Sequence, residues 1–162
     1  MELLKNTEDI IQLIGFQVGE RFLGADILSV QEILRGPTIE AVENAPEMIT
    51  GVIYLRGQTI PIVDLRERLG NKAGKVDDAA TCWVLVTIIG DMSLGMVVDY
   101  VTRIIRVDPR TILPAPEIIV SGLATPYIKG VCESEMGMLV VLNIDRLLTT
   151  DEIKAVKMMD VN

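Results

Sequence analysis

Leu23-Gly24-Ala25-Asp26-Ile27 and Leu94-Gly95-Met96-Val97-Val98 align without a gap at an offset of 71 residues. The same offset carries Gly19 onto Gly90, Val30 onto Val101, Ile33 onto Ile104 and Arg35 onto Arg106. A second block, Ile49-Thr50-Gly51-Val52, aligns with Ile128-Lys129-Gly130-Val131 at an offset of 79, and that offset places Ile62-Val63-Asp64-Leu65 on Val141-Leu142-Asn143-Ile144. Two blocks in the same order, with coincident glycines, mark an internal duplication with copies at about 10–70 and 83–148. The second copy is longer by eight residues. The extra length must fall between the blocks, where Leu113-Pro114-Ala115-Pro116-Glu117 reads as a loop because proline cannot donate to a strand ladder.

Each copy reads as short strands. Ile10–Val18 and Trp83–Ile89 are runs rich in Val, Ile and Leu, closed by Gly19 and Gly90. A run of that length with that punctuation favours strand over helix. The chain should return through Arg21–Ala25 and Ser93–Val97 and resume as Val30–Arg35 and Val101–Val107, which suggests hairpin-connected antiparallel strands. Gly51–Leu55 and Thr59–Val63 flank Arg56-Gly57-Gln58, a short connection of hairpin type. Pro61 within the second of these strands predicts a sheet edge or a place beside a bulge. Asp64 can cap a short helix ended by Gly70, with Asn143 at the equivalent capping position. Residues 71–80 are polar and mixed, as expected of a linker between copies. Thr149-Thr150-Asp151-Glu152 has the form of a capping box opening a terminal helix over 150–160, with Ile153, Val156 and Met159 on one side. A unit of about 70 residues with five short strands has the size of a small SH3-like barrel, so the expected architecture is mainly β: two five-stranded SH3-like barrels with short helices and a C-terminal helix. The junction between two barrels is where a binding groove would form.

Composition narrows the chemistry. The 162 residues are 49% hydrophobic but only 4% aromatic, so aliphatic side chains must fill the core. A net charge of −8 repels phosphate backbones and anionic lipid, which argues against nucleic acid as a partner. There is no histidine, which removes the commonest general base and the commonest zinc ligand. Cys82 and Cys132 each lie in apolar runs beside valines and read as small buried hydrophobes of a reducing compartment. The carboxylates are scattered or lie in polar stretches, and no glycine-rich phosphate loop is present, so no catalytic residue, metal site or cofactor is expected. No apolar stretch has the length of a membrane span, and Met1–Asp9 is of mixed charge, so a soluble cytoplasmic protein without direct membrane insertion is expected. Glu32, on a strand of apolar neighbours, and Arg56, at a hairpin, are either ordinary surface charges or a pair. If they meet, the guanidinium fork would fix the hairpin against the strand.

These residues also carry a resemblance. Gly24–Ile33, Ile49–Arg66, Gly95–Val101, the Pro114–Glu117 loop and Val141–Asp145 resemble the signature segments of the CheW family of bacterial chemotaxis coupling proteins, over about Ile10 to Leu148. The resemblance implies a single CheW-like domain and a noncatalytic adapter. Such an adapter links the cytoplasmic tips of methyl-accepting chemotaxis receptors to the histidine kinase CheA, in arrays to which it is recruited at the membrane. By position it assigns Glu32 and Arg56 to the family's paired acid and arginine, and Val30, Gly51, Leu55 and Val101 to the receptor groove. It places an array contact at Pro116, Glu117 and Ile118, and kinase contacts on apolar barrel faces. Tyr54 stands where the family usually has Asn, and Ile118 where an aromatic is common, which leaves less area to bury there. Two readings of other classes compete: a peptide-binding barrel pair outside chemotaxis, and a small enzyme using an aspartate or Cys82, which requires a cleft of perturbed acids that nothing in the spacing suggests.

Overall fold

The computed structural model describes residues 9–69, 82–114 and 127–159. Ten strands account for most of them: β1 (Ile11–Val18), β2 (Arg21–Asp26), β3 (Val30–Arg35), β4 (Ile49–Leu55), β5 (Gln58–Asp64), β6 (Trp83–Ile89), β7 (Met92–Val98), β8 (Tyr100–Val107), β9 (Ile128–Ser134) and β10 (Gly137–Leu142). Two short helices complete the frame, α1 (Leu65–Arg68) and α2 (Thr150–Lys157). The expected linker 71–80, with Gly70, lies outside the described residues.

The strands form two five-stranded sheets, ordered β8-β1-β2-β10-β9 and β3-β6-β7-β5-β4. Advancing each strand of one order by five places, cyclically, gives the other. The correspondence extends to register: Ile62 lies opposite Gly95 where β5 runs parallel to β7, and Val141 lies opposite Gly24 where β10 runs parallel to β2. It extends to irregularities, since the β3/β6 ladder shifts between Val30 and Glu32 and the β1/β8 ladder at the equivalent Phe16–Val101 step.

In one respect the chain departs from the reading of successive hairpins. β3 does not return along β2; it joins β6, and β8 joins β1. Each sheet therefore takes strands from both copies. The cause is local. Asp26 ends β2 and accepts a hydrogen bond from the Leu28 N–H at 2.9 Å, which caps a 3-10 turn over Ile27–Ser29 and turns the chain out of the sheet. Asp99 interrupts β7 and β8 at the equivalent crossing.

Three apolar clusters follow. One lies within the first sheet (Leu13, Phe22, Val107, Cys132, Leu139, Val141) and one within the second (Ile53, Ile60, Ile62, Cys82, Val84, Val86, Val97). The largest is shared between the sheets and includes Ile14, Phe16, Leu23, Val63, Leu85, Leu94 and Met96. Alternate residues in the middle of β1 and β6 thus point into different cores, so Leu13–Phe16 and Val84–Val86 carry no polar side chain instead of alternating with polar residues. Each such Val, Leu or Ile contributes roughly 1.5–3 kcal/mol by burial.

Pro61 and Asn143 mark two chain irregularities. Pro61 is not on an edge, because β5 lies between β7 and β4, but it is beside a bulge, since the β4/β5 register shifts between Ile49 and Gly51, opposite Val63 and Ile62. Its missing N–H is tolerated for a further reason. Val52, its partner on β4, uses both its N–H and its C=O on Glu40, at 2.8 Å each, so the Val52/Pro61 pair is a non-hydrogen-bonded one. The parallel ladder to β7 begins only at Ile62. Asn143 precedes a 3-10 turn, Ile144–Arg146, as expected, but its side chain makes no capping bond.

The capping box of α2 is formed. The Glu152 N–H donates to Thr149 Oγ1 at 3.1 Å, and the Thr149 N–H donates to Glu152 Oε1 at 2.9 Å. Val156 is buried in the shared core, with Ile153 and Met159 packed against it. Burial raises the Glu152 carboxyl, but Arg68 and the Thr149 N–H outweigh that and hold it below its ordinary value. A carboxyl lowered in the folded state binds fewer protons there than when unfolded, so its stabilisation is present above about pH 4.3 and is lost as pH falls further. Glu152→Gln should therefore flatten the acid limb of the thermal midpoint between pH 5 and pH 3, at a cost of about 1 kcal/mol near neutrality. An unchanged acid limb would assign the limb to other carboxylates.

Candidate functional site

Val30 and Val101 lie at the start of β3 and β8, the two strands that cross between sheets. Each is half-buried, and both pack against the core shared by the sheets. Val30 lies opposite Thr87 and Val101 opposite Phe16, which are equivalent positions of the two copies. The two valines therefore sit at the rim of one common core, one from each half.

Each sheet is left without a ladder between its terminal strands, β3 and β4 in one and β8 and β9 in the other. An ion pair spans each gap. In the first, Arg56 Nη2 donates to Glu32 Oε1 at 3.1 Å, from the β4–β5 turn to β3. That turn is a two-residue loop, since Leu55 pairs with Gln58 and both Arg56 (φ 52°) and Gly57 (φ 78°) are left-handed, as a type I′ hairpin requires. An arginine held there is conformationally costly, and the turn uses it to aim the guanidinium back across the gap. The Arg56 side chain is 78% exposed and Glu32 25%. A pair that open contributes roughly 0–1 kcal/mol, so its weight lies in what the surface presents and not in holding the fold.

The second gap carries a pair that the sequence reading did not single out. Arg103 Nη2 on β8 donates to Glu135 Oε2 in the β9–β10 turn at 2.7 Å. Arg103 stands at the position of Glu32, and Glu135 at that of Arg56. The repeat offsets of 71 and 79 were the signal that could have found it. A cleft of about 650 Å³ beside this pair is lined by residues including Ile104, Ile105, Glu133 and Met136. The equivalent cleft of the other sheet, about 360 Å³, is lined by Leu34, Pro37, Ile53, Tyr54 and Leu55 among others.

The remaining expected site residues separate. Leu55 packs on the second sheet's own core and lines the cleft beside its gap, whereas Val30 and Val101 pack on the shared core. Gly51 is buried where the chain at Glu40 crosses β4. A Cβ there would lie 2.5 Å from the Glu40 carbonyl oxygen, so its place is a close approach of two backbones. Gly130 meets Leu113 in the same way. Pro116, Glu117 and Ile118 lie outside the described residues.

A buried cluster was also missed. Arg66 Nε and Nη2 grip Asp64 in a fork at 3.0 and 2.9 Å, and Nη1 reaches Asp99 at 3.5 Å. Asp99 in turn accepts the Gly19 N–H at 2.6 Å. The hydrogen bond from Asp64 chiefly raises the Arg66 pKa, against the opposing effect of burial. This is an anchor of the β7–β8 crossing. Cys82 and Cys132 are buried free thiols in separate cores, and desolvation pushes both pKa values up, the reverse of an activated nucleophile. Among the described residues no group of His, Cys, Asp and Glu could hold a metal ion, and no helix is long and apolar enough to cross a membrane.

Residues 12–152 match the model of the CheW-like domain. The chain belongs to the CheW family. The chemotaxis protein CheW of Klebsiella aerogenes is 35% identical over 156 residues, covering 91% of this chain and 92% of that protein. The CheW of Treponema pallidum is 29% identical, covering 91% and 87%. Among solved structures, the scaffolding protein TtCheW of Thermoanaerobacter tengcongensis aligns with a TM-score of 0.76 at 28% identity, over 88% of this chain and 94% of that one. The paired SH3-like sheets described above are thus the CheW arrangement, and the chain is a member of a chemotaxis scaffold family.

Proposed function

We propose that this chain is a noncatalytic adapter that couples methyl-accepting chemotaxis receptors to the histidine kinase CheA, and that it is recruited from the cytoplasm to receptor arrays. The observation that carries the reading is the placement of Val30 and Val101, equivalent residues of the two copies, half-buried at the rim of one shared core. A helical receptor tip needs an apolar strip flanked by charge, and these valines, with Glu32–Arg56 on one side, supply it. The exposed apolar side chains Tyr54 on one sheet, and Ile104, Met136 and Met138 on the other, supply area for kinase contacts. The raised thiols and the absence of histidine support a role without turnover. Membership of the CheW family weighs against a peptide-binding pair unrelated to chemotaxis.

Val30→Asp and Val101→Asp should each abolish co-sedimentation with receptor-containing membranes, and CheA should no longer follow, while a cooperative unfolding transition persists. Co-sedimentation at the wild-type level by both folded variants would reject the groove.

A further inference from the structure

The two ion pairs are equivalent in place and opposite in sign. Glu32 and Arg103 each lie two residues beyond the rim valine of their strand, and Arg56 and Glu135 each open the two-residue loop facing it. The strand member is the less exposed in both, 25% against 78% in the first and 53% against 85% in the second. Ile33 and Ile104, adjacent to the strand members, are both exposed. The exchange of β3 and β8 between sheets is reciprocal, so the two halves are related by an approximate twofold axis. The rim of Val30 and Val101 is therefore nearly symmetric in shape and antisymmetric in charge.

Symmetry of shape has a consequence for a docked helix: reversed end to end, it would meet much the same apolar surface. Charge removes that degeneracy. We infer that Arg103–Glu135 is a second recognition pair, which together with Glu32–Arg56 fixes the direction of a receptor helix in the groove. The occupant is a helix with a basic side chain where it passes Glu32 and an acidic one where it passes Arg103. In the reverse direction like charges would meet at both ends, and such juxtapositions are a means by which interfaces reject a wrong register. This inference rests on the proposal that a receptor helix occupies the groove.

The decisive variant is R103E/E135R. It keeps an ion pair across the gap, and with it the local fold, but gives both halves the same polarity. Affinity for a soluble receptor cytoplasmic fragment, measured by calorimetry with the full chain, should fall about tenfold, with a shallower dependence on salt. Photo-cross-linkers at Ile33 and Ile104 should each capture one distinct receptor segment in the otherwise wild-type chain, and a mixture of both segments in R103E/E135R. Reversing both pairs together, by adding E32R/R56E, should restore single segments with their assignments exchanged. Unchanged affinity and cross-links in R103E/E135R, with binding still lost in V30D and V101D, would overturn the inference and leave the groove intact. If V30D and V101D bind normally, the groove reading fails and takes the inference with it.

Discussion

Replacing Arg66 by methionine is expected to destabilise the fold by about 3–5 kcal/mol, because it leaves the Asp64 carboxylate buried without its counter-charge. The Asp64 side chain is 1% exposed and that of Arg66 10%, and two parallel hydrogen bonds join them. For a chain of this length the loss should appear as a drop of roughly 6–20 °C in the thermal midpoint. Part of the effect is long-range. Arg66 also reaches Asp99, which holds the Gly19 turn, so the variant loosens the point where the chain leaves one sheet for the other. Methionine preserves much of the apolar volume, which separates charge from packing. The check is a double-mutant cycle with Asp64→Asn. Asparagine keeps an oxygen to cap α1 but carries no charge, so the second substitution should cost little once Arg66 is gone. Strict additivity of the two losses would show that the fork contributes no coupling.

The sequence made the strands legible because Val- and Ile-rich runs closed by glycine have few alternatives, and the repeat set their number and order. It did not show which strand pairs with which. A strand's pattern reports whether its faces are buried and not the identity of its neighbours, so the return of β3 along β2 and its crossing to β6 look alike from the residues. Asp26 and Asp99, which end β2 and β7, were visible only as turn residues. The site divides in the same way. Glu32 and Arg56 could be paired because an acid among apolar strand residues and an arginine at a tight hairpin are each unusual. Arg103 and Glu135 look ordinary until the repeat is laid over them with its sign reversed. Asp64 was readable as a cap from its place before a helix, but its fork with Arg66 depends on both being enclosed by the β7–β8 crossing, which no local pattern encodes.

Gly51 tests whether a residue that resemblance places in the receptor groove acts there by contact or by architecture. Adding a methyl group puts a Cβ 2.5 Å from the Glu40 carbonyl oxygen and 2.9 Å from Ile39 Cγ2, and the first of these is backbone, which cannot rotate away. Relief requires the segment at Glu40 to lift off β4, which weakens the two 2.8 Å hydrogen bonds between Glu40 and Val52. Overpacking of this kind together with weakened hydrogen bonds costs roughly 2–4 kcal/mol, so Gly51→Ala should lower the thermal midpoint by about 4–16 °C. Gly130→Ala should do the same, because its Cβ would lie 2.5 Å from the Leu113 carbonyl oxygen at the equivalent crossing. The paired result separates the two roles. Equal losses of stability, with receptor binding recovered at a temperature where each variant is folded, make both glycines architectural. A Gly51→Ala variant that keeps its midpoint but loses the receptor would make Gly51 a contact and would contradict the close approach. Loss of binding alone, measured without the melting curve, cannot tell a blocked groove from a displaced strand, and β4 leads directly into the turn that holds Arg56.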